Sequence, residues 1–166
     1  MILVVMGVAG VGKTTIGEEL ARRLECKFVD ADTYHSPENV LKMSRGDGLT
    51  DEDRAPWLKI LHRVLADFER RDESVVLACS ALKQKYRDEI GAGLPVKWIY
   101  LKADPDKIRE RLQERHGHYA SARLLESQLA ALEEPADAIV VNADNPPDSE
   151  IDEVMNKLGR RESGAA

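Results

Sequence analysis

The stretch Gly7-Val8-Ala9-Gly10-Val11-Gly12-Lys13-Thr14-Thr15 brings glycines, a lysine and two threonines together in the pattern G-x-x-x-x-G-K-[ST]. Its chemistry is phosphate binding. The glycines let the backbone curl until successive N–H groups point at phosphate oxygens, and a following helix adds its positive amino end. Lys13 reaches the β- and γ-phosphates of a nucleoside triphosphate, and the Thr14 hydroxyl can ligate Mg²⁺. A second group of chemical residues is Val29-Asp30-Ala31-Asp32. Two carboxylates next to a phosphate loop can divide two tasks. One holds Mg²⁺ through water, and the other accepts the hydroxyl proton of an acceptor substrate.

Other kinds of phosphate-loop protein fit less well. The apolar run ending Ala78-Cys79-Ser80 carries no terminal acid of the Walker-B kind. No D-x-x-G follows the loop at a useful distance, and no N-K-x-D guanine reader occurs. A switch or motor is disfavoured on both counts. Arg111 and Arg115 are four residues apart at the edge of a polar segment. In small kinases of this build, one such arginine packs on the adenine and the next, in a mobile lid, reaches the phosphates. A lid excludes water, so the phosphate goes to the acceptor.

These residues need a scaffold, and the apolar pattern predicts one. Ile2–Met6 is a continuous apolar run, as in a strand buried on both faces of a parallel sheet. A helix is expected from Lys13 to Leu24, then a short strand over Lys27–Val29 and a short helix around Glu38–Met43. Thr50 with Asp53 resembles a helix-starting box, and Trp57, Leu61, Val64, Leu65 and Phe68 share one face of the helix that follows. Further strands are expected at Ser74–Ala78, Val96–Leu101 and Ala138–Val141. Helices are expected around Leu82–Ile90, from Asp104 through Leu112, at Leu125–Leu132 and at Ile151–Leu158. Arg115–Ser121 shows no clear period. Strand alternates with helix five times, which predicts a three-layer α/β fold: a five-stranded parallel sheet with helices on both faces. Ligands of such sheets bind at the carboxyl ends of the strands. One domain is expected over residues 1–158, with a small lid at about 115–122 and a flexible tail at 159–166.

Composition sets the remaining bounds. The chain has 166 residues, enough for one domain. Its net charge of −6 argues against a general nucleic-acid partner, which calls for a basic face. No apolar run approaches the roughly 20 residues of a membrane helix. The opening MILVVMGV is too short, and lacks the basic flank, for a signal peptide. Cys26 and Cys79 lie far apart with no ligand-spaced partners, which points to two buried thiols in a reducing cytoplasm.

Several longer segments carry a resemblance. Asp30-Ala31-Asp32 with His35, NVLKM at 39–43, LTDEDRAPWL at 49–58, CSALKQKYR at 79–87, Arg115-His116-Gly117-His118-Tyr119 and LLESQL at 124–129 together resemble gluconokinase of the small phosphate-loop, shikimate-kinase-like type. The likeness runs from Met6 to about Asp144. Shikimate kinases share the loop and D-x-D but usually have a glycine-rich turn where CSALK stands. The resemblance implies a P-loop kinase fold, ATP and Mg²⁺ as cofactors, transfer to the 6-hydroxyl of D-gluconate, and a cytoplasmic homodimer. Gluconate is a small anionic polyol, so Arg54 and Arg87 are candidates for its carboxylate, with Lys83 as a third charge. Asp32 is the preferred base and Asp30 the preferred partner of the Mg²⁺ shell, roles that can be exchanged. His35, Lys42 and Gln128 are further substrate candidates. Lys13 and Arg115 are expected to stabilise the moving phosphoryl group, and Arg111 to face the base. His62 is read as structural, and Trp57 as core or pocket wall rather than a stacking platform. Rival readings are a kinase for shikimate or a nucleoside monophosphate, and a nucleotide-binding regulator without catalysis.

Overall fold

Ile2–Met6 (β1) is apolar and buried at all five positions, which a strand achieves only inside a sheet covered on both faces. In the computed structural model, which describes residues 1–116 and 119–163 and their side chains except at 115, 116, 119, 120 and 160–163, β1 is the central strand. It pairs with Val75–Ala78 (β3) on one side and Val96–Lys102 (β4) on the other. Lys27–Asp30 (β2) and Ala138–Asn142 (β5) form the edges, so the order is β2-β3-β1-β4-β5 and every pairing is parallel.

The helices follow from this order. Lys13–Arg23 (α1) carries the chain from the centre to the β2 edge. The next crossovers, through Asp51–Arg70 (α3) and Gln84–Ile90 (α4), move the other way. Parallel crossovers are right-handed, so α1 covers one face and α3 and α4 the other. Pro147–Ser163 (α7) packs on α1, α3 packs on α4, and Pro105–His116 (α5) packs on Tyr119–Ala131 (α6). Between β2 and α3 lie a single 3₁₀ turn (Ala31–Tyr34) and the short helix Pro37–Ser44 (α2). Both halves of the box expected at Thr50 and Asp53 form. Asp53 N–H donates to Thr50 Oγ1 at 3.1 Å and Thr50 N–H to Asp53 Oδ2 at 2.9 Å.

Register decides what meets at the sheet's carboxyl edge. Val5 lies level with Ala78, Ala78 with Asp30, and Met6 with Tyr100. The loops beginning near Gly7, Ala31 and Cys79 therefore open at one height. The five strands and the α1–β2 unit agree with the sequence reading within a residue or two. Two segments differ. Helix extends to His116 and resumes at Tyr119, within the stretch that showed no period. The last helix begins at Pro147 and its backbone stays helical through Ser163, beyond Gly159 where a loose tail was expected.

Candidate active site

The phosphate loop turns from β1 into α1 on glycine. Gly12 is the helix N-cap with φ +104°, and Gly10 has φ +79°, conformations that side chains rarely adopt. A Cβ at Gly10 would also lie 2.9 Å from Leu112 of α5. Lys13 sits half-buried over the loop, and its Nζ donates to the Val8 carbonyl at 2.9 Å. Burial lowers its pKa, with nearby Asp32 pulling the other way. Thr14 and Thr15 are exposed at the first turn of α1.

A cleft of about 300 Å³ runs from this loop towards the D-x-D turn. It brings together Lys13, Thr14, Asp30, Asp32, His35, Arg54 and Gln128, residues from five separate elements or turns. Asp30 caps the turn, its Oδ1 accepting from Asp32 N–H at 2.9 Å. Asp32 keeps its own carboxylate open to the cleft. The surrounding protein raises its pKa by desolvation, and Lys13 partly offsets this. Arg54 is buried: Nη1 donates to the Leu49 carbonyl at 2.6 Å and to Tyr86 Oη at 3.2 Å. Neither Asp51 nor Asp53, its neighbours in sequence, pairs with it. Gln128 reaches back from α6, and its Oε1 accepts the Ala9 N–H at 2.7 Å. Its carbonyl thus braces the phosphate loop. Met43, Leu49 and Leu124 add an apolar wall.

Three expected acceptor residues do not line this cleft. Lys42 pairs with Asp53 at 2.8 Å, and Lys83 with Asp51 at 3.4 Å. Asp51 also takes Lys85 and the Tyr86 hydroxyl. Arg87 is buried away from the site, donating to the carbonyls of Ala81 (2.7 Å), Leu82 (3.2 Å) and Glu133 (2.8 Å). It ties the turn after β3 to the chain beyond α6, a structural task that its charge and position in sequence do not reveal. Arg87→Ala leaves three carbonyls without that donor. It should lower unfolding stability in urea by about 2–3 kcal/mol. A loss below about 0.5 kcal/mol would contradict the clamp. His62 is structural as expected, with Nδ1 3.1 Å from the Ile90 carbonyl. Buried Cys79 has its thiol pKa pushed up to about 12 by burial, and both cysteines are free thiols.

On the other side of the phosphate loop, a second cavity of about 370 Å³ is lined by Gly10, Thr15, Arg111, Asn145, Pro147 and Glu150 among others. Arg111 Nη2 donates to the Ala143 carbonyl at 3.1 Å, which fixes the arginine against the loop after β5. Arg115, its expected partner on the phosphates, has its side chain outside the described residues, as does Gly117-His118 of the expected lid. Glu150 gave no signal in the sequence. It is buried, and among the described residues its Oε2 has no hydrogen-bond partner. Burial raises its pKa to about 7, against the pull of Arg111. A carboxyl whose folded pKa exceeds its unfolded value of about 4.3 costs stability as pH climbs between the two. Glu150→Gln should therefore stabilise the protein by about 1–2 kcal/mol at pH 8 and by close to nothing at pH 4. Urea unfolding at both pH values reads this, and a gain independent of pH would contradict it.

The donor set of the first cleft suits a hard cation shared with a nucleotide. Thr14 offers a hydroxyl and Asp30 a carboxylate beside the phosphate loop, and Mg²⁺ takes few protein oxygens together with phosphates and water. Among the described residues, no group of three or more His, Cys, Asp and Glu side chains forms a cage for a metal.

A phosphate loop at the end of the central strand, a carboxylate turn beside it and separate cavities on either side define a small-molecule P-loop kinase. A family model described as shikimate kinase matches residues 9–159. Gluconokinase of Gluconobacter oxydans (strain 621H) is 45% identical over 157 residues, covering 92% of this chain and 88% of that protein. Thermoresistant gluconokinase of Escherichia coli (strain K12) is 40% identical over 150 residues, covering 87% and 86%. The crystal structure of a gluconokinase from Sinorhizobium meliloti 1021 superposes with a TM-score of 0.86 at 37% identity, covering 95% of this chain and 91% of that one. The chain belongs to the gluconokinase family, and it is a nucleotide-binding kinase.

Proposed function

We propose that the protein transfers the γ-phosphate of ATP to the 6-hydroxyl of D-gluconate, giving 6-phospho-D-gluconate and ADP. The observation that carries this reading is the joint presence of Asp32 and Arg54 in one cleft that begins at Lys13. A carboxylate base and a buried guanidinium suit the two ends of a sugar acid, a hydroxyl to be activated and a carboxylate to be held. The family likeness supports gluconate as the acid.

The division of labour follows from the local bonds. Loop amides at 7–12 and the amino end of α1 cradle the triphosphate. Lys13 neutralises charge on the moving phosphoryl group, and the family likeness supports Arg115 for the same task. Asp30 is held in its turn by the Asp32 N–H, which suits a fixed partner of the Mg²⁺ shell. Asp32 is the more open of the two and suits the role of base. Thr14 and Asp30 would hold the shell of a bound Mg²⁺, which would supply positive charge against the phosphates. The second cavity suits the base and ribose, with Arg111 against the adenine.

The same reading covers a single kinase domain over residues 1–158, a cytoplasmic location, fitting the two free thiols, and a homodimer, resting on the family likeness. A coupled ADP-release assay should show turnover with D-gluconate well above that with shikimate or nucleoside monophosphates. Equal or greater turnover with either rival acceptor would overturn the substrate assignment.

A further inference from the structure

His35 follows the D-x-D turn and lines the acceptor side of the cleft, while most of its ring is covered. The ring stacks on Trp57 with centroids 4.2 Å apart and planes 15° from parallel. Trp57 Nε1–H donates to the Ala31 carbonyl at 2.8 Å. One indole therefore holds both the His35 ring and the residue next to Asp32.

The hydrogen bonds behind the ring assign its proton. Asn39 is buried, and its Nδ2 donates to the Asp53 main-chain carbonyl at 2.8 Å. A main-chain carbonyl only accepts, so this atom is the amide nitrogen. The same Nδ2 lies 3.3 Å from His35 Nδ1. An amide NH₂ only donates, so Nδ1 must offer its lone pair. The single proton of the neutral ring is then on Nε2. Nε2 meets no protein acceptor at hydrogen-bond distance among the described residues, and Asp32 Oδ1 lies 3.9 Å from it.

We propose that Asn39 is a positioning residue that locks His35 as a neutral Nε2–H donor beside Asp32, where it donates to a hydroxyl oxygen of the acceptor. The proposal rests on the acceptor site proposed above. Its chemistry fits a polyol: a carboxylate that accepts from one hydroxyl stands next to an N–H that donates to a hydroxyl oxygen. It also protects the base. A protonated imidazole would face Asp32 as a cation and compete for its carboxylate. Charged groups around the ring are Asp32 on the turn and Arg54 on α3, with the Lys42–Asp53 pair beyond Asn39. Burial and the Arg54 charge lower the His35 pKa to about 4, which keeps the ring neutral where a free histidine would titrate near 6.5.

Long-range ¹⁵N–¹H NMR of the full-length wild-type protein tests the tautomer without any turnover. His35 should show a protonated Nε2, an unprotonated Nδ1 and no titration between pH 5.5 and 8, windows set about the ordinary histidine value. A proton on Nδ1, or titration near pH 6.5, would overturn the proposal. Kinetics test the donor. His35→Gln can place an amide nitrogen near the Nε2 position and should keep kcat/KM for gluconate within about threefold. His35→Asn is too short and should lose about tenfold, the scale of one neutral hydrogen bond, with KM for ATP unchanged. Equal loss in the two variants would also overturn it. Failure of the wild-type protein to turn over gluconate would instead reject the substrate assignment, and the NMR result would still decide the role of Asn39.

Discussion

Asp32→Asn is expected to lower kcat by at least about 10²-fold, the lower end of what a positioned general base contributes. Asparagine keeps the size of the side chain and loses the charge that accepts the hydroxyl proton. The turn should survive, because its cap is Asp30 and the donor is the Asp32 main-chain N–H, which the substitution leaves in place. KM for ATP should accordingly change little. The pH profile gives a second reading. Desolvation raises the Asp32 pKa, and the base works only when ionised, so wild-type kcat should fall as pH drops through that raised value. A variant with near-normal kcat would remove Asp32 from the role of base and point to Asp30.

Arg54→Ala is expected to raise KM for gluconate by about 10–100-fold, the range for losing charge-assisted hydrogen bonds to a carboxylate. Only Nη1 of this guanidinium has protein acceptors among the described residues, the Leu49 carbonyl and Tyr86 Oη. Nε and Nη2 are left for a ligand in the cleft. Arg54→Lys keeps the positive charge and loses the planar fork, so it should recover only part of the affinity. KM for ATP should move far less in both variants. The reverse ranking, with ATP more affected than gluconate, would place Arg54 outside the acceptor site.

The scaffold was readable because burial imposes a period. The β1 run has to be a strand inside a covered sheet, and Thr50 with Asp53 marks the start of α3 by a local bond pattern. Where a stretch is polar, no apolar period marks the end of a helix. Arg115–Ser121 is polar, and its flanking helices are built from strong helix formers with little apolar patterning, so the ends of α5 and α6 were not legible. The start of α7 was missed because its apolar stripe begins only at Ile151, one turn after Pro147 opens the helix.

The site divides along the same line. Lys13, Asp30 and Asp32 were legible as lining the cleft because each lies in or beside a short loop at the end of a strand. Lys83 and Arg87 were not, because a sequence shows that a side chain is charged but not what it meets. Lys83 turns to Asp51, 32 residues earlier, and Arg87 to the carbonyl of Glu133, 46 residues later. Asn39 acts only through the ring in front of it, and Glu150 enters the second cavity from the last helix. Asn39 stands only four residues from His35, yet the sequence does not show that the two side chains meet.

The proposed reaction passes the γ-phosphate of ATP, gripped by Lys13, to the 6-hydroxyl of gluconate. Phosphorus–proton correlation NMR of a reaction with ATP and D-gluconate measures this directly. One ADP per sugar acid consumed and a phosphate coupled to the C6 protons are expected. Inorganic phosphate as the only phosphorus product besides ADP, or phosphate coupled to any other carbon's protons, would contradict it.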